Sequence, residues 1–121
     1  MKIERELPAG ANAFTGYGPG YVEVNKARHE RSIVVSAARV DEWAPRALEA
    51  LAEEHLAAIA AAKPEVVLIG TGSTFSFPDP AALAPLHRAR IGVEVMDTQA
   101  ACRTYNILLA EGRNVVAAVI V

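Results

Sequence analysis

The sequence contains a single cysteine, Cys102, among its 121 residues. One thiol cannot close a disulfide within the chain or supply a cysteine-rich zinc site, and cysteine-poor chains are typical of reducing compartments. The first six residues, MKIERE, carry charges where a signal peptide needs an apolar stretch. We therefore expect a cytoplasmic protein that is not exported.

Long hydrophobic runs are also missing. The longest uninterrupted apolar segments are residues 56–62 and 115–121. Both fall far short of the roughly 20 apolar residues that a membrane-spanning helix needs. The sequence therefore predicts no membrane span.

An excess of positive charge is the third absence. The chain has 12 Lys and Arg residues against 14 Asp and Glu residues, for a formal net charge of −2. Non-specific affinity for nucleic acid comes mainly from basic side chains that neutralise phosphates. We therefore expect no nucleic-acid partner.

Familiar catalytic and metal-binding motifs are absent as well. There is no Gly-x-Ser-x-Gly elbow, no His-x-x-x-His pair and no carboxylate-rich metal loop. We expect no metal and no cofactor. Whether the chain catalyses a reaction stays open, and the empty motif search favours a non-enzymatic protein.

What the sequence does contain is typical of one soluble globular domain over residues 1–121, with 52% apolar, 21% charged and only 6% aromatic residues. Its first third has β character, because residues 21–24 alternate and residues 33–35 are β-branched. The polar residues 25–31 between them predict a turn. We expect an N-terminal β hairpin made of these two strands.

From residue 41 onward, the apolar spacing alternates between helical and strand patterns. Asp79 before Pro80 and Asp97 or Thr98 are candidate helix caps. The predicted elements are a helix over 43–62, a strand over 66–70, a helix over 80–89, a strand over 93–96, a helix ending near 110 and a strand over 115–121. This order predicts an α/β fold of three layers, in which helices pack on a central sheet.

The carboxyl ends of two predicted strands suggest a small pocket. Parallel strands at 66–70 and 93–96 bring their following loops to one edge of the sheet, where glycines, hydroxyls and a helix N-terminus could hold an anion. A sharp turn out of the strand also explains the same glycines, and the sequence favours it. The hypothetical ligand-binding residues are Gly70, Thr71, Gly72, Ser73, Thr98 and Arg103.

Two residues of the last helix have alternative interpretations. Arg103 either neutralises an anion in the pocket or pairs with Glu94 or Glu111 as a structural contact. Cys102 lies near the helix start, where the helix dipole could lower a thiol pKa, or it is a small packing residue. The sequence favours the structural role for both.

Four segments carry a family resemblance: residues 66–72, 92–98, 100–108 and 111–113. They resemble a small uncharacterised single-domain family that includes a mitochondrial assembly factor for respiratory complex I and an adipogenesis-associated animal protein. The resemblance implies a three-layer α/β fold with a mixed central sheet and an additional β element. It also allows the last strand to run antiparallel, whereas the helical crossover predicts a parallel strand. It supplies no catalytic residues.

Two functions follow as hypotheses. The first is a non-enzymatic interaction or assembly-factor-like domain with a protein partner, in line with the mitochondrial relative and respiratory complex assembly. The second is a binding protein or enzyme for a small anionic metabolite at the strand-end pocket. Nothing in the sequence indicates the oligomeric state.

Overall fold

The computed structural model describes residues 7–121. Residues 1–6, on which the expectation of no export signal partly depends, lie outside the described residues. The described chain contains a three-stranded sheet, a five-stranded sheet, three α-helices and two 3₁₀ turns.

The three-stranded sheet is antiparallel and is formed by the first third of the chain. Its strands are β1 (Phe14–Gly18), β2 (Tyr21–Val24) and β3 (Ala27–His29). Asn25 and Lys26 connect β2 to β3 and both have positive φ, the geometry of a tight two-residue hairpin turn.

The predicted hairpin is therefore present but has a different partner strand. The strand after the β3 segment, β4 (Ile33–Val35), leaves this sheet and joins the larger one. The prediction that residues 33–35 pair with residues 21–24 is wrong, because the tight turn at Asn25 and Lys26 already gives β2 a nearer partner.

The five-stranded sheet is mixed. It contains β4, β5 (Val40–Glu42), β6 (Val66–Gly70), β7 (Gly92–Met96) and β8 (Val115–Val119) in the order β5-β4-β8-β6-β7.

β6 runs parallel to both β7 and β8, with Leu68 opposite Glu94 and Ala117. β4 runs antiparallel to β8. The last strand, β8, is thus parallel to its neighbour β6, as the helical crossover predicts. On its other side β8 pairs antiparallel with β4.

Helices cover both faces of this sheet. α3 (Thr98–Ala110) packs on one face together with the three-stranded sheet, and α1 (Glu53–Ala60) and α2 (Ala84–Arg88) pack on the other. In β6, Leu68 belongs to the first apolar cluster and Val67 to the second. Because both faces are buried, the strand is apolar throughout. The three-layer α/β architecture is confirmed.

The first predicted helix is much shorter than expected. Residues 40–42 are β5, Trp43 donates its N–H to the Ser32 carbonyl at 2.9 Å, and a 3₁₀ turn occupies Leu48–Ala50. The helical spacing before residue 53 is misleading because residues 40–43 still pair with the edge of the sheet and only a short 3₁₀ turn forms before α1. α1 begins where the Ala52 N–H donates to His55 Nδ1 at 2.9 Å.

The second predicted helix divides in two. The Asp79 carboxylate accepts the Ala81 N–H at 2.9 Å, which confirms the cap, and Pro80–Leu83 form a 3₁₀ turn. α2 follows with Pro85 in its first turn, where proline costs no hydrogen bond.

Candidate functional site

The loops after β6 and β7 meet at one edge of the sheet, as the parallel arrangement predicts. Thr98 donates its N–H to the Gly72 carbonyl at 2.9 Å, and Gly72 donates its N–H to Thr98 Oγ1 at 2.9 Å. The Thr71 N–H donates to the Met96 carbonyl at 2.9 Å. These bonds hold the two loops against each other.

Gly70 is required by this close approach. A Cβ at this position would lie 2.8 Å from Thr98 Oγ1 and 2.9 Å from a methyl of Val119. Contacts that short are repulsive, so a larger residue would separate β6 from the start of α3. Gly70 is therefore part of the floor that joins the loops.

A cleft of about 530 Å³ opens above this floor. Thr71, Gly72, Ser73 and Thr98 line it, so four of the six sequence-predicted residues come together there. Two further walls come from the β1–β2 turn at 18–21 and from the segment 46–49. Sequence reasoning missed both walls because neither segment is near the glycine loop along the chain.

The two buried hydroxyls of the cleft already have partners. Thr71 Oγ1 donates to the Thr74 carbonyl at 2.7 Å and accepts the Ser76 N–H at 3.3 Å. Thr98 Oγ1 donates to the Ile120 carbonyl at 2.5 Å. These hydroxyls therefore stabilise the loops in the structure described here.

The N-terminus of α3 is capped by the chain itself. The Asp97 carboxylate accepts the Ala100 N–H at 2.9 Å. The sequence predicts both a cap from Asp97 or Thr98 and free N–H groups for an anion at this position. Instead, a carboxylate takes one of the donors and adds negative charge beside the cleft.

Arg103 lies outside the residues that line the cleft. Its guanidinium donates to Tyr17 Oη at 3.0 Å and lies 5.8 Å from the centre of the Tyr17 ring. The hydrogen bond to Tyr17 raises the pKa of Arg103. The side chain of Arg103 is thus joined to Tyr17 of β1, a partner that neither of the two sequence hypotheses includes.

Cys102 lies on the buried face of α3, within the first apolar cluster. Burial raises the pKa of its thiol from its ordinary value to about 12, so the thiol stays protonated at neutral pH. The packing role that the sequence favours is confirmed by this placement.

An exposed aromatic pair lies on the loop between β6 and α2. Phe75 and Phe77 are 49% and 80% exposed, and their rings meet edge to face with centroids 4.8 Å apart. Sequence reasoning missed this feature, although the alternation Thr-Phe-Ser-Phe-Pro in a loop was visible. The pair follows Thr71–Thr74, so it flanks the cleft along the same loop.

Residues 14–120 match the family described as "Protein of unknown function (DUF498/DUF598)". The chain belongs to this family.

Among the relatives in this family, the chain is 30% identical over 117 residues to the "13 kDa major membrane protein" of Francisella tularensis, with 95% of each chain covered. It is 31% identical over 120 residues to the bovine "NADH dehydrogenase [ubiquinone] 1 alpha subcomplex assembly factor 3", with 98% of this chain but 65% of the bovine protein covered.

A solved structure shows the same fold. The crystal structure of a Bordetella parapertussis protein superposes with a TM-score of 0.85 at 43% identity, covering 93% of this chain and 98% of that one. Within residues 7–121, no helix has both the length and the apolar character needed to cross a bilayer.

Proposed function

We propose that this chain is a non-enzymatic interaction module that assists the assembly of a protein complex. The observation that carries the proposal is the exposed pair of Phe75 and Phe77 beside the cleft. Exposed aromatic side chains cost solvation free energy in the isolated protein, and they are among the commonest anchors in protein interfaces. The loop 71–79 would be the docking element.

The name of the bovine relative supports a respiratory complex as the partner. That protein is called an assembly factor of NADH dehydrogenase, and this chain spans 65% of its length. We therefore propose that the partner is a subunit or intermediate of such a complex. The single cysteine is in line with a reducing compartment, so we propose that the chain acts in the cytoplasm.

The test uses a deletion strain of the source organism complemented with variants of the full chain. Phe77→Ser should leave NADH dehydrogenase assembly, measured on native gels, near the level of the deletion strain. The control is Ile107→Ser, which removes another exposed apolar side chain, 58% exposed, from α3. Circular dichroism should show that both variants fold.

The results test the respiratory partner and the docking role of the aromatic loop separately. Normal assembly in the deletion strain would overturn the respiratory partner. Full assembly with Phe77→Ser, or an equal loss with Ile107→Ser, would overturn the docking role of the aromatic loop.

As a second candidate we propose the binding of a small anionic ligand in the cleft. Arg46 lines the cleft together with Gly72 and Ser73 and has no hydrogen-bond or ion-pair partner in residues 7–121. An unpaired guanidinium is a ready donor for carboxylate or phosphate. Gly70, Thr71 and Thr98 would shape the site through the backbone.

Thermal stability checks the second candidate. Inorganic phosphate or citrate at fixed ionic strength should raise the melting temperature of the wild-type chain if the folded state binds it. Arg103→Ala should retain the shift, because Arg103 is tied to Tyr17. Loss of the shift with Arg103→Ala would return Arg103 to the site, and no shift in the wild type would end this candidate.

A further inference from the structure

The edge of the sheet that carries the cleft also receives the start of β4. Because β4 is antiparallel to β8, its first residue Ile33 pairs with Val119 at the carboxyl end of β8. Arg31 and Ser32 precede Ile33 and so come to the same edge as the loops after the parallel strands. This neighbourhood depends on contacts between residues more than 80 positions apart.

Ser32 has a feature that its fold position does not explain. The residue is 2% exposed, and its Oγ is buried with no hydrogen-bond partner among the described residues. Its backbone carbonyl accepts the Trp43 N–H, so the backbone is part of the sheet. Buried hydroxyls are nearly always hydrogen-bonded, and an exception points to a partner supplied from elsewhere.

Two arginines line the same cavities as Ser32 and have no side-chain partner among residues 7–121. Arg31, Ser32 and Arg46 together line two adjoining cavities of about 320 and 120 Å³. Neither guanidinium has a hydrogen bond or an ion pair within the part of the chain that the structure describes. By contrast, five arginines have side-chain partners: Arg28 on Glu30, Arg39 on Asp41, Arg88 on Glu53, Arg103 on Tyr17 and Arg113 on Glu65.

We infer that Arg31, Arg46 and the Ser32 hydroxyl form a subsite for an oxyanion of the carboxylate or phosphate class. Two guanidiniums supply positive charge and directed N–H donors, and the hydroxyl supplies a third donor from the buried side. Arg46 also lines the large cleft, so the subsite opens into it. The inference deepens the second candidate function and rests on it.

The acidic groups around the subsite set its net charge. Glu42 lines the larger cavity and Glu30 the smaller one, where Glu30 is already paired with Arg28 at 3.0 Å. Among the described side chains that line the two cavities, Arg31 and Arg46 are positive, Glu42 is negative and Glu30 is balanced by Arg28, so these side chains sum to one positive charge. A compact anion with one or two negative charges fits this balance better than a highly charged one.

The experiment titrates the full chain with inorganic phosphate in one arm and acetate in the other, at constant ionic strength. Binding is followed through the backbone amide signals of residues 31–33 by NMR. Arg31→Gln and Arg46→Gln should each weaken the preferred anion about tenfold, the loss expected for one charge-assisted hydrogen bond. Arg90→Gln is the matched control, because Arg90 is also exposed and has no side-chain partner within residues 7–121, but lies after α2 and away from the two cavities.

Ser32→Ala separates a ligand role from a packing role. Since the hydroxyl is buried and finds no partner among residues 7–121, its removal should leave the melting temperature of the free chain unchanged or raise it. The same variant should weaken the anion about threefold to tenfold if the hydroxyl is a donor to it.

The outcomes divide clearly. Binding of either anion that is weakened by the three substitutions supports the subsite. The anion that binds more strongly shows whether the subsite prefers a phosphate or a carboxylate. Binding that survives Arg31→Gln, Arg46→Gln and Ser32→Ala overturns the subsite but keeps the second candidate function. If Arg90→Gln weakens anion binding as much as Arg31→Gln and Arg46→Gln do, the anion responds only to the overall charge of the protein, and the subsite is overturned. No binding of either anion overturns both.

Discussion

The two faces of the five-stranded sheet are covered in different ways. α3 is 13 residues long, and its side chains reach the three-stranded sheet through directed bonds: Asn106 accepts the Phe14 N–H at 3.0 Å and donates to the Phe14 carbonyl at 2.7 Å. Tyr105 Oη donates to the Asn12 carbonyl at 2.8 Å. The Phe14 and Tyr105 rings also meet edge to face with centroids 5.3 Å apart.

The opposite face carries shorter helices. α1 has eight residues and α2 has five, and their buried side chains, Leu56, Ile59 and Leu86, join a mainly aliphatic cluster that also contains Trp43. Arg88 and Glu53 link the two helices by an exposed ion pair with 3.1 Å between Nη2 and Oε1. The short helices are thus placed mainly by apolar packing, with one long hydrogen bond of 3.5 Å from Trp43 Nε1 to the His55 carbonyl, whereas the small sheet is joined to α3 by several shorter side-chain bonds to backbone groups.

The largest expected effect compares one leucine on each face. Leu68 in β6 and Leu56 in α1 are both fully buried. Leu68→Ala should lower the free energy of unfolding by about 3–5 kcal/mol and Leu56→Ala by about 2–3 kcal/mol, because a short surface helix can move into a cavity and an interior strand cannot. Urea unfolding followed by circular dichroism measures both. A larger loss for Leu56→Ala would reverse the comparison, and a loss near zero for Leu68→Ala would contradict its burial.

The next effect tests the directed bonds. Asn106→Ala should cost about 2 kcal/mol, because it leaves both the N–H and the carbonyl of buried Phe14 without their partner. Tyr105→Phe removes a single bond to Asn12 and should cost about 1 kcal/mol. Both are measured by urea unfolding. If Asn106→Ala costs no more than Tyr105→Phe, the paired bonds do not fix the small sheet.

Alkaline pH should lower the free energy of unfolding through the buried thiol of Cys102 in α3. Burial raises the pKa of Cys102 to about 12, above its ordinary value of 9.0, so the unfolded chain loses the proton first as the pH rises. The protonated thiol therefore adds its full contribution to the free energy of unfolding below pH 9, and this contribution is lost between pH 9 and about 12. By linkage, the wild type should lose about 1.4 kcal/mol more than Cys102→Ala between pH 7.5 and pH 10.

Urea unfolding of both chains at the two pH values gives this difference. Tyr105 titrates in an overlapping range, with its pKa raised by burial to about 12, but it is present in both chains and cancels. Parallel pH profiles for the two chains would refute the link to the thiol. Rapid labelling of Cys102 by thiol reagents at neutral pH would do so independently.

The smallest effect concerns the surface contact between the same two elements. Arg103 and Tyr17 join α3 to β1 in an exposed position. Exposed polar contacts add little to stability, so Arg103→Ala and Tyr17→Phe should leave the melting temperature unchanged. A clear drop for both single variants and no further drop for the double variant would show that the surface contact also fixes the small sheet.

Much of the C-terminal half is predictable from sequence. The buried strands β6 and β8, the Asp79 and Asp97 caps and the meeting of Thr71, Gly72 and Ser73 with Thr98 follow from apolar runs, local capping chemistry and parallel strand geometry. These signals act over a few residues or over one βαβ unit. The N-terminal third has short strands of three to five residues, and such segments do not identify their own partners.

The sequence by itself determined which segments are buried on both faces, where the later helices begin and which loops share an edge of the sheet. Only the tertiary structure decided that β4 lies beside β8, that Arg103 contacts Tyr17 and that Arg31, Ser32 and Arg46 line common cavities. The reason is physical: periodicity and capping report energies between near neighbours along the chain. Partner choice between distant segments depends on how the whole core packs, and no local pattern encodes it.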